Sequence, residues 1–293
     1  MNTPGTHVAF FGISDTGLMR ENNEDHFTVA DLTLKVVGVQ DNHVTPALLY
    51  HEVGAHGTIV AVADGLGGYE GGEIASRIAV EATVQALFET DHGYRSTTQW
   101  LADAVGQAHA AICQHQQTTA SHPRMGSTLT AVHIGHGVLT IAQVGDSRAY
   151  KFSNGHLTLL TEDQTLINMM QKKGMVTDRE AQNHPHRHIV LQALGQGKAV
   201  CPEVHSYPFQ DGDYILLCTD GLSSYVDQMT IQSILAEDGD EPTHCQRLID
   251  ASYASGGADN VTVLLARLMS YAAEATVIIR RDDIAFHTHR NRS

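Results

Sequence analysis

The residues of this 293-residue chain best placed to do chemistry are carboxylates at the ends of apolar runs. Ile59–Ala63 runs into Asp64-Gly65, Leu139–Gly145 into Asp146, and Tyr214–Thr219 into Asp220-Gly221. Asp259-Asn260 opens the run Val261–Leu268, and Glu24-Asp25 precedes His26-Phe27-Thr28-Val29. Taken singly, each acid reads more readily as a hairpin turn or a helix cap. Asp211, Asp213 and Asp238-Gly239 are of that ordinary kind. Repetition changes the reading, because sheet architecture brings strand ends from distant parts of a chain together. Few basic residues lie near these acids, and clustered carboxylates without partners are costly. Divalent cations offset that cost, and an all-oxygen donor set favours hard ions such as Mg²⁺ or Mn²⁺ over zinc.

Arg20 is the second clue. It lies close in sequence to Glu24 and Asp25, and a guanidinium fork suits a phosphate group. Alone it would read as a surface ion-pair residue. Beside two metals, and with no obvious nucleophile, it points to phosphate-ester hydrolysis by metal-bound water. Competing features are weaker. His184, His186 and His188 alternate around Pro185 without a fourth ligand and read as surface polarity rather than a zinc site. The glycines of 65–72 are not followed by Lys-Ser/Thr and make no P-loop. Cys218 sits inside an apolar strand and Trp100 on an apolar helix stripe, so both read as core. Arg280 and Arg281 read as a solvated face.

These acids need a sheet to hold them. Gly72–Thr90 and Thr97–Thr118 have helical spacing, the first through Ile74, Ile78 and Ala82, the second through Leu101, Val105, Ala108 and Ile112. Ser127–Leu160 reads as strands with turns at Gly135–Gly137 and Ser153–Gly155. Asp163–Lys173 reads as a short helix stopped by Gly174. Asp213–Cys218 and Asn260–Leu268 read as strands, and Asp227–Ala236 and Glu241–Ser255 as helices. Strands in runs and helices in pairs predict an α+β fold, antiparallel sheet covered by helices, with no linker dividing it. Asp31–Gly57 and the tail from Met269 read as additions.

Composition excludes several classes. Apolar residues make up 42% and charged residues 17%, ordinary for a globular chain. A formal charge of −15 disfavours nucleic acid and anionic membrane as partners. No apolar run approaches the ~20 residues of a membrane span. The N-terminus lacks a signal-peptide pattern, and the four cysteines form no CxxC pair, so a reducing, cytoplasmic setting is expected.

The same segments resemble a known family. Ser14–Asp25 reads SDTGLMRENNED and resembles the SDxGxxRxxNED opening of the metal-dependent protein serine/threonine phosphatases, type 2C, in their bacterial form. Asp64–Gly68 resembles the DGxGG motif, Gly126-Ser127-Thr128 the GST segment, and Gly145–Arg148 the GDSR motif. Thr219–Leu222 resembles TDGL, and Asp259–Val263 the closing DNxTV motif. The order is the family's, across residues 8–268.

The resemblance implies two antiparallel sheets packed as a sandwich between helices. It implies hydrolysis of phosphoserine and phosphothreonine by a metal-bridging water or hydroxide, with two Mn²⁺ or Mg²⁺ ions and a possible third. Arg20, Asp64 and Asp220 would carry catalysis, with Arg20 holding the substrate phosphate. Asp64 would bridge the two ions and the Gly65 carbonyl would ligate one. Asp220 and Asp259 would complete the pair of sites, with Glu24 and Asp25 near the second ion through water. Asp146 would share a third site with Asp220. The implied partners are phosphorylated proteins and a cognate Ser/Thr kinase. The alternative is a catalytically inactive phosphoprotein-binding regulator of the same fold.

There are departures. Leu66 stands where many eukaryotic members carry a His proposed as general acid, and it cannot donate a proton. Asp64 follows Asp25 by 39 positions, so 31–57 is expected to be an insertion. Residues 161–198 resemble the bacterial flap, with Asp163-Gln164-Thr165 where members often read Asp-His-Ser. Residues 269–293 remain as a C-terminal tail. Ser76 and Arg77 are expected to pack or be solvated, and Thr128 to be structural.

Overall fold

The computed structural model describes residues 6–40, 43–44, 49–67, 70–90, 96–119, 125–135, 137–182, 184–186 and 188–270. Gly68 and the tail residues Arg280, Arg281, His287 and His289 lie outside them.

In chain order the strands are β1 (Thr6–Asp15), β2 (Asp25–Asp31), β3 (Val36–Val37), β4 (Val39–Gln40), β5 (His43–Val44), β6 (Tyr50–Glu52), β7 (Thr58–Leu66), β8 (Gly126–Ser127), β9 (Leu129–Gly135), β10 (Val138–Val144), β11 (Arg148–Ser153), β12 (His156–Leu159), β13 (Glu203–Pro208), β14 (Tyr214–Cys218) and β15 (Val261–Ser270). The helices are α1 (Glu70–Glu89), α2 (Thr97–Thr118), α3 (Leu166–Lys172), α4 (Asp178–Gln182), α5 (Asp220–Ser223), α6 (Gln228–Ala236) and α7 (Glu241–Ala254).

Two antiparallel sheets dominate. One runs β12-β11-β14-β15-β1-β6 and the other β13-β10-β9-β7-β2-β3. Side-chain alternation explains how they stack. In β7, Val60 and Val62 point between the sheets, whereas Ile59, Ala61 and Ala63 point at α1 and α2. In β15, Leu264, Ala266 and Leu268 point between the sheets, whereas Val261, Val263 and Leu265 face α6 and α7. Central strands are therefore apolar on both faces, which is why they read as continuous hydrophobic runs. Each of the valines, leucines and isoleucines contributes roughly 1.5–3 kcal/mol relative to exposure. The result is a four-layer α-β-β-α sandwich, the expected fold.

The helix boundaries have local causes. Ser96 caps α2 by accepting the Gln99 N–H at 3.2 Å, and the buried face carries Trp100, Leu101, Ala104, Val105, Ala108 and Ile112. Asp227 and Asp240 cap α6 and α7 through side-chain oxygens. The short helix expected from Asp163 begins at Leu166, because Thr165 is its cap. Asp213 is a turn acid, accepting the Gln210 N–H at 3.0 Å. Strands β1 and β13 and helix α4 were not legible in the sequence. Segment 31–57 supplies an edge strand to each sheet, β3 beside β2 and β6 beside β1.

Candidate metal centre

One end of the sandwich gathers the acids. Asp25 opens β2 and Asp64 lies near the end of β7, and the two are direct cross-strand partners. Asp146 lies in the turn from β10 to β11. Asp220 opens α5, separated from β14 by Thr219 alone, and Asp259 is separated from β15 by Asn260 alone. Pairing of β14 with β15 and of β15 with β1 holds Asp220, Asp259 and the Arg20 loop at this same end.

The acids sense one another. Burial, followed by the charges of Asp25, Asp220, Asp146 and Asp259, raises the Asp64 carboxyl well above its ordinary range. Burial, then Asp146, Asp259 and Asp25, does the same to Asp220. Asp25 is pushed up to about 7, mainly by burial, while hydroxyl donation from Thr219 and Thr262 opposes the rise. Asp146 is pushed up to about 6 by burial and by Asp163. Glu24 is raised by burial, against the pull of Arg20. The Oδ1 atom of Asp220 is buried and makes no hydrogen bond. A crowded, all-oxygen acid cluster with a buried orphan oxygen fits a hard divalent cation. Among the described residues no three His, Cys, Asp or Glu side chains form a ready chelate. Hard ions of the Mg²⁺ type need no such cage, because they are bound through one or two carboxylates and retain several waters.

Neutral residues set the geometry. Asp25 Oδ2 accepts from Thr219 Oγ1 at 2.7 Å and from Thr262 Oγ1 at 2.8 Å. Ser14 and Asn23 extend this network, since Ser14 Oγ lies 2.8 Å from both Thr262 Oγ1 and Asn23 Nδ2. The Asp64 N–H donates to Thr128 Oγ1 at 2.9 Å, and Ser127 Oγ donates to the Asp64 carbonyl at 3.1 Å. Thr128 is thus structural, as expected. Asn260 clamps the loop that carries Arg20: its Nδ2 donates to the carbonyls of Thr16 (2.9 Å) and Asn22 (2.8 Å), and its Oδ1 accepts the Glu24 N–H at 2.8 Å. Ser76 Oγ donates to the Glu24 carbonyl at 2.5 Å, tying α1 to the site. A Cβ on Gly65 would stand 2.2 Å from the Gly72 carbonyl oxygen, so the Asp-Gly at the strand end lets α1 approach the acids.

The remaining expected residues have definite places. Arg20 Nη2 lies 2.9 Å from both carboxylate oxygens of Asp259, and Arg20 is half exposed. The structure therefore places the expected phosphate anchor and an expected metal ligand in one ion pair. Leu66 ends β7 and pairs with Gly126. Cys218 faces the α6–α7 side, and burial pushes its thiol up to about 12, as suits a core residue. A cleft of about 600 Å³ opens on Asp146 and Asp220 and runs under α3 and α4, with His188 on its wall. In it Arg148 makes a bidentate pair with Asp163, Nε–Oδ1 2.8 Å and Nη2–Oδ2 2.6 Å. Sequence reasoning assigned no role to Ser14, Asn23, Thr219, Asn260 or Thr262. All five lie within the quoted motifs, and that was the available signal.

Comparison with known proteins gives the family. The family model described as protein phosphatase 2C matches residues 39–251. The serine/threonine phosphatase Stp of Listeria monocytogenes is 34% identical over 209 residues, 71% of this chain and 83% of that protein. The serine/threonine protein phosphatase PstP of Mycobacterium tuberculosis is 32% identical over 88% of this chain and 44% of its own length. The crystal structure of the Mycobacterium tuberculosis enzyme superposes with a TM-score of 0.75 at 30% identity, covering 90% of this chain and 100% of that one. A crystal structure of the PstP catalytic domain in complex with two manganese ions superposes with a TM-score of 0.73 at 29% identity, covering 90% of this chain and 100% of that one. On these grounds the chain belongs to the protein phosphatase 2C family and is an enzyme of that family.

Proposed function

We propose that this chain is a metal-dependent serine/threonine phosphatase that hydrolyses phosphoserine and phosphothreonine in proteins. The observation that carries this reading is the convergence of Asp25, Asp64, Asp146, Asp220 and Asp259, each close enough to disturb another's ionisation, beside Arg20. Asp64, Asp220, Asp259 and the Gly65 carbonyl would hold two Mn²⁺ or Mg²⁺ ions. Glu24 and Asp25 would lie behind the second, and Asp146 with Asp220 would take a third. When bound, such ions supply Lewis acidity and an ionised water at neutral pH. Arg20 would leave Asp259 to hold the phosphate oxygens, where its planar fork gives bidentate donation. Leu66 supplies no proton, so the leaving oxygen would take its proton from water in the site or from another group.

The phosphatase unit expected over residues 8–268 extends to 6–270, because Thr6 and His7 of β1 pair with Ser270 and Met269 of β15; 31–57 is inserted in it, 161–198 acts as a flap over the cleft, and the tail expected from 269 follows Ser270. The enzyme opposes a Ser/Thr kinase in the cytoplasm. Among the described residues no helix is long and apolar enough to cross a membrane. The relatives' names favour the enzyme over an inactive phosphoprotein-binding regulator. The test is hydrolysis of a phosphothreonine peptide after chelation and again with Mn²⁺ or Mg²⁺ restored, beside Asp64→Asn and Asp220→Asn. Activity that returns with metal and is abolished in both variants supports the reading. A folded wild type inactive with every metal overturns it in favour of the regulator.

A further inference from the structure

We propose that His109 and Gln116 of α2 are positioning residues that hold one root of the 161–198 segment and so set its grip on a phosphoprotein. The inference rests on reading that segment as the flap. His109 and Gln116 are seven positions apart and share one face of α2. The Gly195 N–H donates to His109 Nδ1 at 3.1 Å, and Gln116 Nε2 donates to the Gly195 carbonyl at 2.9 Å. Both backbone groups of one residue are thus held by side chains of one helix. Because Nδ1 accepts, the neutral His109 ring carries its proton on Nε2, facing Cys113 Sγ at 3.6 Å. Gly195 has φ +76°, and a Cβ there would stand 2.3 Å from Ile112 Cγ2, so the chain lies flat on the helix.

The clasp is continuous with the acid end of the sandwich. Leu194 exchanges backbone bonds with Ser127 at 2.8 and 3.1 Å. Ser127 pairs with Gly65 and donates to the Asp64 carbonyl. The other root is held differently, by Gln164: its N–H donates to the Gly145 carbonyl and its Oε1 accepts the Gly145 N–H, both at 2.9 Å. Between the roots the segment exposes Met175, Ile189 and Leu191 at 65%, 41% and 51%. One root is thus fixed beside Asp146, and the other is set by two α2 side chains that touch neither the acid cluster nor Arg20.

The test compares the wild type with His109→Leu, Gln116→Leu and His109→Asn, whose Oδ1 takes the place of Nδ1. Each is assayed on a phosphothreonine protein and on p-nitrophenyl phosphate, with amide exchange followed at Leu194 and Gly195. His109→Leu and Gln116→Leu should speed that exchange and raise KM for the phosphoprotein at least about three-fold, while kcat and both constants for the aryl phosphate stay within about two-fold. His109→Asn should restore KM. Equal loss on both substrates, or no rescue by Asn, overturns the proposal and leaves a simple folding contact. Ile189→Ser and Leu191→Ser separate the two readings. If they raise phosphoprotein KM and His109→Leu does not, the clasp is wrong. If neither set does, the flap reading fails and takes the clasp with it.

Discussion

Asp25 and Asp64 face each other directly across β2 and β7, two acids in one antiparallel register at one end of the sandwich. Like charges directly opposite in a sheet are destabilising, and Asp25 is fully buried. Such a pair lowers the stability of the bare fold and creates a demand for countercharge. Replacing Asp25 with Asn relieves that repulsion and retains an acceptor for the two threonine hydroxyls. The metal-free Asp25→Asn variant should melt at or above the wild-type temperature, by up to about 4 °C for roughly 1 kcal/mol. The rise in Tm on adding Mn²⁺ should be smaller than in the wild type. Thermal melts in chelator and in Mn²⁺ measure both.

The same burial gives a pH dependence of known sign. Asp25 and Asp146 have folded pKa values of about 7 and about 6, against about 3.9 in an unfolded chain. Between these limits the folded state holds protons that the unfolded state has released, so stability falls as pH rises. Metal-free protein should therefore lose stability from about pH 4 to about pH 7, and saturating Mn²⁺ should remove that slope by stabilising the ionised set. Urea melts at several pH values, with chelator and with metal, test this. A flat metal-free profile would falsify it.

Arg20 and Asp259 form an ion pair that is about half exposed on the arginine side. Breaking it should cost little stability, within about 1 kcal/mol. A charge-assisted contact to phosphate is worth about 1.5–3 kcal/mol. Arg20→Ala should therefore lower kcat/KM for a phosphothreonine peptide about ten- to hundred-fold with Tm nearly unchanged. Arg20→Lys should recover only part of it, since an ammonium cannot make the bidentate contact. Steady-state kinetics beside a melting curve decide the matter; a parallel fall in Tm would assign Arg20 to the fold instead.

Asn260 satisfies three backbone groups of the 16–24 loop while itself buried. Truncation to Ala leaves those groups without their partner, at about 1–3 kcal/mol for the unsatisfied set. Asn260→Ala should lose about that much stability by urea denaturation, and its Mn²⁺ affinity should drop, because the same loop carries Glu24 and Arg20. Unchanged metal affinity with lost stability would confine Asn260 to the fold.

The chain itself determined the chemistry and the kind of fold. Short apolar runs bounded by turn residues predicted antiparallel strands, and the i, i+4 stripe of α2 predicted a helix whose observed limits are those expected. The acids at Asp64, Asp146, Asp220 and Asp259 were legible because each interrupts or bounds an apolar run, which is a local signal. Strand β13 was not legible, because it is an edge strand with mostly exposed side chains and no clear alternation. Only the tertiary structure decided who stands opposite whom. The Asp25–Asp64 register pairs residues 39 positions apart in the chain. The hydroxyls of Thr219 and Thr262 reach Asp25 across 194 and 237 positions, and the bond from Gly195 to His109 spans 86. Such contacts follow from how the sheets pair and pack, and pairing between distant segments leaves no periodicity in the sequence that joins them.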